Sequence, residues 1–69
     1  MKVQFNLITE FGDWNSNLID INDISEYNNI VELSRKYYET GFEMETEDGS
    51  FIIFTPELVK KSVLRIIKS

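Results

Sequence analysis

The stretch Phe42-Glu43-Met44-Glu45-Thr46-Glu47-Asp48-Gly49-Ser50-Phe51-Ile52-Ile53-Phe54 sets two runs of strand-forming residues on either side of an Asp-Gly pair. Asp-Gly tolerates the positive φ angles that a type I′ turn needs at both central positions, so the stretch predicts a β-hairpin with a two-residue loop. Pairing outward from that turn places Glu47 against Ser50, Thr46 against Phe51, Glu45 against Ile52, Met44 against Ile53 and Glu43 against Phe54. One face then carries Phe42, Met44, Thr46, Phe51 and Ile53 and suits a core. The other carries Glu43, Glu45 and Glu47 in a row beside Ile52 and Phe54. This second face reads either as a solvated surface or as a contact surface for another protein, apolar at its centre and acidic at its rim.

The flanking segments read as material packed around the hairpin. Residues 2–7 alternate polar and apolar, which predicts a half-buried strand over 2–8 with Val3, Phe5 and Leu7 inward. Gly12-Asp13-Trp14-Asn15-Ser16-Asn17 is dense in turn formers and predicts a loop. Trp14 within it reads as a lid over the edge of a small core or as a binding anchor. Leu18-Ile19-Asp20-Ile21 predicts a short strand, over 18–21, antiparallel to the first.

Asp23 and Glu26 then form the two halves of a capping box. Tyr27, Ile30, Val31, Ser34, Tyr37 and Tyr38 share one helical face, and Gly41 follows where a left-handed residue closes a helix, predicting a helix over 24–40. Thr55-Pro56-Glu57 starts a second helix with a hydroxyl cap, proline at the first position and an acid in the first turn. A stripe of Val59, Ser62, Val63, Ile66 and Ile67 extends it over 56–67. A competing reading ends that helix at Lys61 and makes residues 63–67 a strand, because the run is β-branched and Leu64 lies off the stripe. The expected architecture is α+β: a small two-layer domain in the order β-β-α-β-β-α. Its antiparallel sheet has three to four strands from residues 2–8, 18–21, 42–47 and 50–54, with two helices on one face.

At 69 residues the chain is one domain, and 42% hydrophobic content with five Phe, three Tyr and one Trp argues for folding despite a net charge of −5. Histidine and cysteine are both absent. That removes imidazole bases, thiolate nucleophiles, disulfides and the usual zinc ligands, which argues against an enzyme. Gly12, Gly41 and Gly49 are too far apart for a phosphate loop, and Asp13, Asp20 and Asp23 lack the spacing and closing glutamate of a calcium loop. Glu43, Glu45 and Glu47 spread their carboxylates along a line, a poor cage for a hard ion. No cofactor or metal is therefore expected. Neither a membrane span nor a signal peptide is visible, so a cytoplasmic protein is expected.

Charge is segregated along the chain. Residues 1–59 hold all 12 acids and three bases, whereas residues 60–69 hold Lys60, Lys61, Arg65 and Lys68 and no acid. Four bases on an acidic protein read as a solvated helix face, which argues against nucleic-acid binding. Alanine is absent while Ile, Asn, Lys, Tyr and Phe abound, the bias of AT-rich coding sequence, pointing to a low-GC bacterium or its phage or mobile elements. The functional expectation is a small, acidic, non-catalytic protein that binds another, basic protein through Glu43, Glu45, Glu47, Ile52 and Phe54, with Trp14 beside them. An inhibitor or accessory factor fits this description. The alternative is a self-associating module, a homodimer through its open sheet face or edge. A DNA mimic is a special case for which the carboxylates are few and local.

Overall fold

In the computed structural model, which describes residues 1–68, strand β1 (Lys2–Thr9) runs through the middle of an antiparallel sheet. Its alternation works as the sequence implies, with Val3, Phe5 and Leu7 buried. Along one edge it pairs with β2 (Gly12–Asn15) near its C-terminal end and with β3 (Ile19–Asp20) at its N-terminal end. Along the other it pairs with β6 (Val63–Lys68) from Val3 to Ile8. The sheet thus has four strands, as expected in number but not in membership.

Two of these strands differ from expectation. The segment expected to be a loop forms β2, because Glu10 and Phe11 make a tight connection that folds Trp14 back against Leu7. The expected second helix is short: α3 (Pro56–Lys60) is capped by Thr55, whose Oγ1 accepts from Leu58 N at 3.4 Å, and the chain then becomes β6. Helical spacing in residues 56–67 competes with a β-branched run that can complete the open edge of the central strand β1, and the ladder prevails over the stripe. Leu64 and Ile66 consequently face the core, and Val63, Arg65 and Ile67 face outward.

The long helix is bent in two. Helix α1 (Ile24–Ser34) begins at Asp23, whose Oδ1 accepts from Glu26 N at 2.9 Å. Glu26 reaches back one residue beyond the cap, to Asn22 N at 2.6 Å. At the other end the buried Ser34 hydroxyl donates to Val31 O at 2.7 Å, and Lys36 N donates to Leu33 O at 3.1 Å, so the i→i−4 ladder is interrupted. Helix α2 (Tyr37–Thr40) resumes in a new direction that brings the Tyr37 ring to 4.8 Å from Phe42 and 6.5 Å from Phe5.

The hairpin, β4 (Phe42–Glu45) and β5 (Phe51–Phe54), forms its own two-stranded sheet rather than extending the first. A single bridge, Ser16 to Thr46, joins the two. Ser16 makes that junction. Its N–H donates to Phe5 O and its Oγ accepts from Phe5 N, both at 2.9 Å, so side chain replaces backbone where the chain leaves β1. Asn17 N then donates to Glu45 O at 2.8 Å. Phe5 and Leu7 from the first sheet meet Phe42, Met44 and Phe54 from the hairpin, and Val59 of α3 closes the core. Ile30 and Tyr37 pack onto the same cluster, which places the helices on the core side of the four-stranded sheet, as an α+β two-layer domain requires.

Candidate functional site

The loop of the hairpin is one residue longer than the Asp-Gly signal implies. Glu47, Asp48 and Gly49 all lie between the paired Thr46 and Ser50, with Thr46 N donating to Ser50 O at 2.8 Å and Gly49 N to Thr46 O at 3.0 Å. Only Gly49, at φ +88°, occupies the left-handed region, and Asp48 does not. This is the three-residue form in which an ordinary turn is followed by a left-handed glycine. Asp48 supports it through its side chain, because its Oδ1 accepts from Thr46 Oγ1 at 2.6 Å and from Ser50 N at 2.9 Å. Those bonds to the charged form, the Thr46 hydroxyl foremost, lower the Asp48 carboxyl to about 2.

One extra loop residue shifts the register by one and flips β5. Phe42 pairs with Phe54, Glu43 with Ile53, Met44 with Ile52 and Glu45 with Phe51. Ile52 and Phe54, expected on the outer face, therefore lie on the core side, with Phe54 only 4% exposed. Phe51 and Ile53, expected in the core, are 60% and 71% exposed. Glu43 and Glu45 remain on the outer face, while Glu47 sits in the loop. Trp14 is half buried and packs edge-to-face on Phe54 at 5.6 Å between ring centroids, which makes it a lid on the core. The candidate surface is thus Glu43 and Glu45 flanking Phe51 and Ile53. The sequence carried the acids and missed both aliphatic and aromatic members, which no pattern in an all-apolar β5 distinguishes.

Next to this face Tyr37 lies partly buried, and burial first, then the Glu43 charge, raises its hydroxyl above the ordinary tyrosine value. A groove of about 360 Å³ runs beside β4, with Phe5, Ile19, Tyr37 and Phe42 among its walls and Glu43 and Glu45 at its lip. The basic residues do not form a single face. Lys60 ends α3, Arg65 is on the outer face of the four-stranded sheet beside Asn6, and Lys68 Nζ lies 4.7 Å from the Tyr27 ring centroid.

Among the described residues no group of three or more acids, histidines or cysteines is placed to hold a metal ion. No helix among them is long and apolar enough to cross a membrane. The chain matches no known family model, no curated protein and no solved structure.

Proposed function

We propose that this protein is a non-catalytic binding protein that docks a basic partner protein through the outer face of the β4–β5 hairpin. The observation that carries this reading is the pairing of Phe51 and Ile53, the two most exposed side chains of the hairpin's apolar set, with Glu43 and Glu45 directly across the ladder. Apolar side chains scattered singly over a surface need no explanation, but here two stand on one face of one strand inside an acidic frame. Residues 42–54 contain no base, so a partner offering Lys or Arg around an apolar contact would complement this surface. Absence of histidine and cysteine supports the non-catalytic part, as do carboxylates spread along a strand rather than gathered in a cleft. An inhibitor or accessory factor acting by occupancy needs nothing more.

Proteins captured by a tagged copy from the native cell would be tested against two variants. Glu43→Lys with Glu45→Lys should slow association and reduce its salt dependence, because repulsion replaces steering. Phe51→Ala should instead speed dissociation, costing on the order of 2 kcal/mol if the ring is a central anchor. A captured partner whose affinity ignores both changes in folded protein sinks the proposal. A second reading, self-association, is favoured by β6, whose outer edge has no partner strand among the described residues and whose Val63 is 57% exposed.

A further inference from the structure

We propose that the free edge of β4 accepts an added strand: an extended segment of the partner that alternates apolar and basic residues. This rests on the hairpin-binding reading and specifies how the partner is held. The Thr46–Ser50 bond sets the alternation of the β4–β5 ladder, so Met44 and Phe42 exchange bonds with β5 while the peptide groups of Glu43 and Glu45 turn the other way. Glu45 O is used by Asn17 N, where the chain's own segment begins to pair with β4. That segment then departs to β3. Glu45 N–H and both peptide groups of Glu43 are left pointing outward with no backbone partner among the described residues.

The groove lies along this unpaired stretch. Phe42 and Met44 on the core side of β4, Glu43 and Glu45 on its outer side, Phe51 of β5, and Ser16 and Asn17, whose Asn17 N already bonds to Glu45 O, all line it, which places the groove along the β4 edge. Across it stand Phe5, Ile19 and Tyr37. An added strand would continue the pairing that Ser16 and Asn17 start, along the stretch of β4 from the Glu45 N–H back to Phe42, about 10 Å at the usual rise per residue. Its core-directed side chains would enter between Phe42, Ile19 and Phe5, so they are apolar. Its outward side chains would stand beside Glu43 and Glu45, so they are Lys or Arg. The edge carries no proline and no lysine to discourage pairing, and its acids repel a second copy of itself while attracting a basic segment.

The test uses the full chain, isotopically labelled, with a capped hexapeptide alternating Lys and Val and a Glu-Val counterpart. Amide exchange at Glu43 and Glu45 should slow by about tenfold or more near saturation with the Lys-Val peptide, and stay unchanged with the Glu-Val one. Synthetic protein with an N-methylated Glu43 amide, shown by thermal melts to fold, should lose the protection at Glu45 as well. Protection at Phe51 and Ile53 instead would mean that β5 takes the strand, and resonance shifts without slowed exchange would mean side-chain contact alone. Either result overturns strand addition at the β4 edge while leaving the hairpin as the binding surface. No response to roughly millimolar peptide also overturns it, whereas indifference of a captured partner to the Glu43, Glu45 and Phe51 variants would remove the underlying reading.

Discussion

Gly41 and Gly49 show how a positive φ makes different demands at two sites. Both have positive φ, +84° and +88°, but a Cβ on Gly41 would come within 2.7 Å of Phe54 O, whereas one on Gly49 would meet nothing within 4 Å. Gly49→Ala should therefore cost only the left-handed penalty, about 1–2 kcal/mol. Gly41→Ala adds a collision with the backbone that holds β5 to β4, so its urea midpoint should fall well below that of the Gly49 variant; equal midpoints would show that the close approach relaxes freely. Asp48 is a second residue-scale case, with a pH signature. Its carboxyl is held at about 2 against an ordinary 3.8, so the folded form binds its proton less readily than the unfolded form does. The resulting stability is present above the unfolded value and is lost as pH falls through that window. Asp48→Asn should lower the thermal midpoint on the neutral plateau and converge with the parent protein as pH falls through that window, which flattens the acid limb, and an equal downward shift at every pH would count against this reading.

Among the elements, β6 separates two readings of one stretch most clearly. A helix over residues 56–67 buries Val63 and turns Leu64 outward, whereas the observed strand half-buries Leu64 and exposes Val63. Leu64→Ala should accordingly cost about 2–3 kcal/mol and Val63→Ala within about 0.5 kcal/mol, measured by urea denaturation; the reverse order would restore the helix. Such contrasts mark what the chain reveals locally. The α+β class, the inward set of β1, both helix starts and the existence of the hairpin follow from alternation and caps, which are local properties. The fate of residues 63–67 depends on a vacant edge of β1 some sixty residues away, so no local pattern decides it. Hairpin register was illegible for another reason. Phe51-Ile52-Ile53-Phe54 is apolar at every position, so either register offers two apolar side chains to the core, and a single loop residue moves Phe54 in and Phe51 out. The acidic half of the candidate surface survived because β4 alternates strictly, and the apolar half did not because β5 does not alternate at all.

For the whole molecule, the same charges that favour a basic partner work against a second copy. A two-fold dimer through the hairpin face would set Glu43 and Glu45 of one copy near those of the other, with no base on either hairpin to relieve them. Pairing β6 with its symmetry mate would instead gather Arg65 and Lys68 from both copies along one new ladder. Each route to self-association is opposed by like charge at short range, while the local ion pairs are too exposed to compensate: Lys2 with Asp20 at 3.9 Å and Arg35 with Glu32 at 3.4 Å. The protein should therefore be a monomer at low ionic strength. Its thermal midpoint should stay constant over about a hundredfold range of protein concentration, because only a folded state that associates gains stability by mass action. Salt sharpens the test. Screening shrinks the reach of these charges from about 30 Å at 0.01 M to about 10 Å at 0.1 M, comparable with the 11.7 Å radius of gyration, so any dimer should grow as salt is added. A midpoint that climbs with protein concentration already at low salt, with sedimentation equilibrium giving twice the chain mass, would transfer the exposed Phe51 and Ile53 from a partner-binding surface to a dimer interface.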